Sequence, residues 1–99
     1  MWYAIMGEDS ADSLPLRKKL RSAHLARLEP LHEQGRVLIV GPHPTSDSSE
    51  PSEAGFTGSL MVVDFSSLEE AQEWANQDPY ALGGVFDKVT VKPFIKVLP

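Results

Sequence analysis

The sequence predicts an α+β fold within a single domain spanning residues 1–99, and two observations carry this prediction. Four runs of apolar or β-branched residues, at 2–6, 36–40, 58–65 and 85–98, are typical of strands. Between them, leucines recur at helical spacing in 16–34, and a second amphipathic stretch ends near Asn76. The resulting order, β-α-β-β-α-β, is the ferredoxin-like arrangement.

The first elements have clear boundaries in the sequence. The strand at 2–6 is apolar at nearly every position, which is typical of a strand buried on both faces. The first helix is predicted to end at Gly35, because glycine readily caps a helix C-terminus. The second strand is predicted to end at Gly41-Pro42, because proline has no backbone N–H to donate. The polar residues 42–57 then predict a long irregular loop.

The second half of the chain is divided by similar signals. After the third strand, Ser67-Leu68-Glu69-Glu70 forms a capping box that opens the second helix. Asp78-Pro79 is predicted to end that helix, and Gly83-Gly84 to turn the chain into the last strand. Within that strand, Pro93 indicates an edge position or a bulge.

The apolar character of the strands predicts a homodimer. Two helices cover only one face of a four-stranded sheet, yet the first strand and the run Leu60-Met61-Val62-Val63 are apolar on both faces. Since no further chain is left to cover the second face, a second copy is expected to do so by a two-fold pairing of sheet with sheet. The expected assembly is a dimeric α+β barrel, in which Met61 points outward.

Composition excludes several classes of protein. The chain has no cysteine, which rules out disulfides, thiolate zinc sites and cysteine nucleophiles. Its net charge of -5 argues against non-specific nucleic-acid binding, which needs a basic face. The apolar start at 1–6 lacks a basic flank and is too short for a signal peptide or a membrane span. We expect a soluble, cytoplasmic protein with no nucleic-acid or membrane partner.

The most informative residue is His24, which lies on the apolar stripe of the first helix, one turn from Leu20 and from Leu28. A polar ring there needs a partner, because an unpaired buried polar group costs about 1–3 kcal/mol. The topology brings the end of the second helix to the same side, so Asp78 is the predicted partner. Arg21, one turn before His24, is placed to bind a substrate carboxylate. The alternative is a core histidine bonded to a nearby carbonyl.

Other polar residues are assigned to structural roles. His32 is expected to be a packing or surface residue, and His43 an exposed loop residue. No dense spacing of His, Asp and Glu predicts a metal site. The basic cluster of the first helix is assigned to its solvated side, and it consists of Arg17, Lys18, Lys19 and Arg21.

Short motifs cover nearly the whole chain in a specific order. They are Arg21-Ser22-Ala23-His24-Leu25, Gly35-Arg36, Gly41-Pro42, Ala54-Gly55-Phe56-Thr57-Gly58, Asp78-Pro79-Tyr80 and Val91-Lys92-Pro93-Phe94. In order and spacing they resemble the YciI-like family of small bacterial proteins. The resemblance implies a ferredoxin-like dimer with a site centred on a histidine and an aspartate, which fall here on His24 and Asp78. It also implies kinship with muconolactone isomerases and with a dehydrochlorinase of chlorinated hydroxymuconate-type compounds.

Two functions follow from these observations. The first is a cofactor-independent acid/base enzyme, of the lyase or isomerase type, acting on a small carboxylated organic acid. In it His24 exchanges a proton with the substrate while Asp78 orients the imidazole ring. The alternative is a non-catalytic small-molecule binding or accessory protein that uses the same pocket. Both functions need an anionic ligand and neither needs a metal or cofactor. The predicted substrate-binding residues are Arg21, Gly41, Pro42 and Tyr80.

Overall fold

The computed structural model describes residues 1–50 and 53–99, and these ranges contain four strands and three helices. In chain order they are β1 (Trp2–Asp9), α1 (Leu14–Glu33), β2 (Val37–Pro44), β3 (Phe56–Asp64), α2 (Leu68–Asn76), α3 (Pro79–Leu82) and β4 (Phe86–Phe94). The strands form an antiparallel sheet in the order β2-β3-β1-β4. The predicted α+β class and ferredoxin-like arrangement are confirmed.

The predicted irregular loop at 42–57 is wrong at both of its ends. β2 continues to Pro44 and β3 begins at Phe56, and these residues pair with each other across the two strands. At these ends the backbone pairing between β2 and β3 outweighs the turn preference of the polar residues in 42–57. Of the remaining connection, Pro51 and Ser52 lie outside the described residues.

The last strand is shorter than predicted, because it ends at Phe94 and not at Leu98. Phe94 pairs with Trp2, which is the first residue of β1. Beyond that pair β1 offers no further backbone partner, so the chain leaves the sheet although Ile95 and Val97 are apolar.

The helix boundaries follow local backbone chemistry. After α1, Gly35 has a φ of 73°, a left-handed conformation that glycine adopts without steric cost. At the start of α2, the Ser67 hydroxyl accepts a hydrogen bond from the Glu70 N–H at 3.1 Å, as the predicted capping box requires. The Glu70 carboxylate, however, bonds to Ser66 instead of returning to Ser67.

The core lies between the helices and one face of the sheet. Tyr3 and Ile5 of β1 pack there with Met61 and Val63 of β3 against the apolar sides of α1 and α2. The prediction that Met61 points outward is therefore wrong, since its side chain is fully buried at 0% exposure. Side chains alternate along a strand, so its neighbours Leu60 and Val62 face the opposite side of the sheet.

Candidate active site

His24 and Asp78, the predicted partners, are in direct contact. His24 Nδ1 lies 2.8 Å from Oδ1 and 2.9 Å from Oδ2 of Asp78. Both residues are buried, with exposed fractions of 5% for His24 and 1% for Asp78. A carboxylate accepts hydrogen bonds, so in the neutral form of the imidazole Nδ1 holds the proton and donates it, and Nε2 keeps the lone pair.

Two helices position this pair. His24 projects from α1, whereas Asp78 is the N-cap of α3, where its Oδ1 also accepts a hydrogen bond from the Tyr80 N–H at 2.8 Å. The Tyr80 ring stacks on the His24 ring with centroids 3.9 Å apart and planes 6° apart. The carboxylate and the stacked phenol together fix the orientation of the imidazole. Helix α3 was not predicted, because Asp78-Pro79 was interpreted only as a helix end.

A cavity of about 600 Å³ opens beside His24, between α1 and the strands β2 and β3. Much of its wall is apolar, with Leu14, Leu25, Val40 and Phe56 contributing. Asp78 is not part of the wall, because it lies behind the imidazole. All the other predicted site residues line the cavity, namely His24, Arg21, Gly41, Pro42 and Tyr80.

The charged residues at the cavity favour an anionic ligand. Arg21 and Lys18 both line it and are exposed on α1. Within residues 1–50 and 53–99, neither takes part in an ion pair. Glu53 also lines the cavity, so the exposed wall carries two positive charges and one negative charge. Unpaired cations around an apolar cavity attract anions and orient them.

Arg17 is the site residue that sequence analysis assigned wrongly. It is buried, with 6% exposure, and lines the cavity instead of facing solvent. Its Nε and Nη2 bond the two carboxylate oxygens of Asp9 at 2.7 and 2.8 Å. Nη2 also donates to Ser59 Oγ at 2.9 Å. A signal was present, since Arg17 precedes His24 by seven residues, two helical turns, and so lies on the same face.

Burial shifts the pKa values of two side chains beside the pair. The pKa of the Tyr80 phenol is raised above its usual 10.0 by burial, against the opposing charges of Arg17 and Arg21. Tyr80 is therefore a neutral hydroxyl at neutral pH, and it donates to the backbone carbonyl of Arg17 at 3.3 Å. The pKa of the Arg27 guanidinium is lowered by burial, and the charge of Asp78 opposes this shift.

The remaining candidates lie away from the cavity. His32 is exposed on α1, and His43 is exposed on β2 and not in a loop. In the part of the chain that the structure describes, no group of three or more His, Asp or Glu side chains is arranged to hold a metal ion. None of the helices in that part is long and apolar enough to cross a membrane.

The protein is thus a small ferredoxin-like α+β protein with a buried His-Asp pair beside a cavity that exposed cations line. The chain belongs to the YCII-related domain family, whose model matches residues 1–95. The predicted membership of the YciI-like family is thereby confirmed.

Similar proteins are found in bacteria. The chain is 55% identical over 97 residues to protein YciI of Escherichia coli, covering 98% of this chain and 99% of that protein. It is 47% identical over 97 residues to a protein of Haemophilus influenzae, with the same coverage.

One solved structure is similar over nearly the whole chain. It is TftG, a 5-chloro-2-hydroxyhydroquinone dehydrochlorinase of Burkholderia phenoliruptrix, in complex with 2,5-dihydroxybenzoquinone. The TM-score is 0.82 at 27% identity, covering 96% of this chain and 94% of TftG. The predicted kinship with a dehydrochlorinase therefore holds, but the compound named for TftG is a hydroxyhydroquinone and not a hydroxymuconate.

Proposed function

We propose that this protein is a cofactor-independent acid/base enzyme, of the lyase or isomerase type, that moves a proton on a small oxygenated organic anion. The observation that carries the proposal is the state of His24. Its Nδ1 is bonded to the buried Asp78 carboxylate, and its ring lines a cavity with exposed cations. A base held in one tautomer, with its second nitrogen free, suits proton transfer from a bound molecule.

The reaction begins with proton removal by His24. Nε2 accepts a proton from a carbon next to a carbonyl, and the C–H electron pair forms a C=C bond as the carbonyl becomes an enolate. In an isomerisation, the imidazolium returns the proton to a second carbon and the carbonyl is restored. In an elimination, a leaving group departs as an anion from the neighbouring carbon, and the proton passes to water. Asp78 stabilises the imidazolium in both cases.

The cavity supports a substrate of about the size of one substituted ring. Its volume of about 600 Å³ lies within the range of small-molecule sites. The aromatic rings of Phe56 and Tyr80 suit a flat, unsaturated molecule, and the exposed Arg21 and Lys18 suit its negative charge. TftG, which is similar in structure, is described with the ring compound 2,5-dihydroxybenzoquinone bound. We take this compound as the first probe for the present site.

The proposal includes a homodimer. The sheet face away from the helices carries a row of apolar residues, because Ile39 pairs with Val62 and Val62 pairs with Ala4 in register. Ile39 is 56% exposed although it is a large apolar side chain. A second copy that covers this face removes it from water and closes the barrel.

Hydrogen exchange tests the catalytic part of the proposal. The protein is incubated in deuterium oxide with a muconolactone, a hydroxymuconate or 2,5-dihydroxybenzoquinone, the last of which exchanges through its keto tautomer with a CH2 next to a carbonyl, and loss of each C–H signal is followed by NMR. We expect the wild type to accelerate exchange in one of these compounds. His24→Gln should slow that exchange by about 10²- to 10⁴-fold, because the base is lost.

His32→Gln is the matched control, since it makes the same substitution at an exposed position of the same helix. It should exchange at the wild-type rate. If the wild type binds a probe compound but neither exchanges its hydrogens nor converts it, catalysis is excluded for that class of compound. The alternative, a non-catalytic binding protein that uses the same pocket, would then replace it.

A further inference from the structure

Arg17 lines the same cavity as His24, and in the described part of the chain one amino group of its guanidinium makes no hydrogen bond to the protein. Its other nitrogens are engaged, because Nε and Nη2 bond Asp9 and Nη2 also reaches Ser59 Oγ and the Gly58 carbonyl at 3.1 Å. Among the described residues, Nη1 donates no hydrogen bond to the protein. Arg17 Nη1 is also not fully buried. In this part of the chain, the fully buried side-chain nitrogen without a hydrogen-bond partner is Nη1 of Arg27 and not that of Arg17.

The free amino group is held rigidly. Asp9, at the end of β1, forms an ion pair with the guanidinium, and its carboxylate also accepts a hydrogen bond from the Ser13 hydroxyl. The guanidinium carbon lies 4.9 Å from the Phe56 ring centroid and 5.1 Å from that of Tyr80. A donor fixed in this way loses little conformational entropy when it bonds a ligand.

A structural ion pair alone does not account for this arrangement. Asp9 is satisfied by Nε and Nη2, yet Nη1 remains a donor in a residue that lines the cavity and is only 6% exposed. Leaving such a donor unpaired costs free energy unless water or a ligand binds it. The Tyr80 ring stacks on His24 and lies near the Arg17 guanidinium, and all three side chains line the same cavity.

We infer that Arg17 binds the reacting oxygen of the substrate through Nη1. This inference rests on the proposed function. As His24 Nε2 takes the proton from carbon, the electron pair moves to the carbonyl oxygen, which becomes an enolate oxyanion. Nη1 donates to that oxygen, whose negative charge is greatest after the proton has left. The substrate class is thus an enolisable carbonyl compound, such as a hydroxyquinone or an unsaturated oxo acid.

Arg17→Lys is the variant that tests this role, because lysine keeps the charge opposite Asp9 but loses the fork that presents Nη1. In the deuterium-exchange assay, kcat should fall by about 10²- to 10³-fold, the usual effect of removing one oxyanion donor. KM should change less, since the contact strengthens as charge develops. Lys19→Met is the matched control: it removes an exposed cation of the same helix that does not line the cavity, and it should leave kcat within about threefold.

A second measurement does not depend on the variant folding. In wild-type protein labelled with ¹⁵N-arginine, 2,5-dihydroxybenzoquinone should shift the guanidinium signals of Arg17 and slow the rotation of its free amino group. The signals of Arg36, which does not line the cavity, should stay unchanged.

The outcomes separate this inference from the proposed function. If the wild type exchanges a substrate and folded Arg17→Lys does so at the same kcat, the Arg17 role is overturned while that of His24 stands. If Arg17→Lys does not fold, unmoved Arg17 signals at saturating ligand overturn it. If the wild type neither binds nor exchanges any of the three probe compounds, both proposals fall.

Discussion

At the scale of single residues, His24 and Arg17 differ in how visible they are in the sequence. His24 interrupts a stripe of leucines, so its polar ring is conspicuous and predicts a partner. Arg17 stands next to Lys18 and Lys19, so it resembles a solvated charge although it faces inward. Helical spacing places Arg17 and His24 on one face, but burial of a charge depends on whether Asp9 is brought against it.

The raised pKa of Tyr80 predicts a loss of stability in alkali. The unfolded state ionises its tyrosines near pH 10, whereas folded Tyr80 keeps its proton to higher pH. The contribution of Tyr80 to the free energy of unfolding is therefore full below about pH 10 and is lost as pH rises through the folded pKa.

Urea unfolding at about pH 8 to about pH 11 checks this prediction. Tyr80→Phe should show a shallower decline than the wild type, because its ring cannot ionise in either state. Identical slopes for the two proteins would mean that Tyr80 ionises equally easily folded and unfolded.

At the scale of elements, periodicity locates long helices and strands but not short ones. The leucines of α1 and the alternation in β3 repeat often enough to indicate their structure. Helix α3 has four residues and no repeat, so only its N-cap and first proline mark it. Its importance comes from Asp78, which caps α3 and bonds His24 with the same carboxylate.

Substitutions of Asp78 should separate these two roles. Asp78→Asn keeps an oxygen for the Tyr80 N–H but removes the negative charge that fixes the His24 tautomer. Asp78→Ala removes both. Chemical denaturation should find Asp78→Asn more stable than Asp78→Ala by about 1 kcal/mol, the usual value of an N-cap.

Both variants should slow proton exchange, by as much as about 10⁴-fold if the wrong tautomer dominates. Equal stability of the two variants would show that the cap contributes nothing measurable. Wild-type exchange in Asp78→Asn would show that the charge is not needed to orient His24.

At the scale of the whole molecule, the helices cover one face of the sheet, and the other face is the interface that we propose for the homodimer. The predicted apolar character of the second face holds for Ala4 and Val62, which are paired with each other. The residues of this strand that face away from the helices are Leu60 and Val62, the neighbours of Met61, and not Met61 itself. Because side chains alternate, an error of one position exchanges the two faces of a strand.

Light scattering on Ile39→Lys tests the homodimer. Ile39 is exposed on the open face, so a lysine there leaves the monomer core intact but sets two charges into the proposed interface. The wild type should have about twice the 10.9 kDa of one chain, and the variant should approach 10.9 kDa.

Leu82→Lys is the control for this test, since Leu82 is 68% exposed but belongs to α3 on the helical side. It should remain a dimer. A monomeric wild type at micromolar concentration would contradict the homodimer, and a dimeric Ile39→Lys would place the interface elsewhere.

The order of the main elements and the fold class are predictable from the amino-acid sequence, because they follow from local periodicity and turn chemistry. The pairing of His24 with Asp78 is predictable as well, because a polar ring stands out on an apolar stripe and the predicted topology brings Asp78 to the same side. The folded chain adds that Arg17 is buried, that Met61 faces the helices and that strand pairing continues into 42–57. No motif marks the distant contacts on which these features depend: Asp9 for Arg17, the helices for Met61, and the facing strand for the ends of β2 and β3.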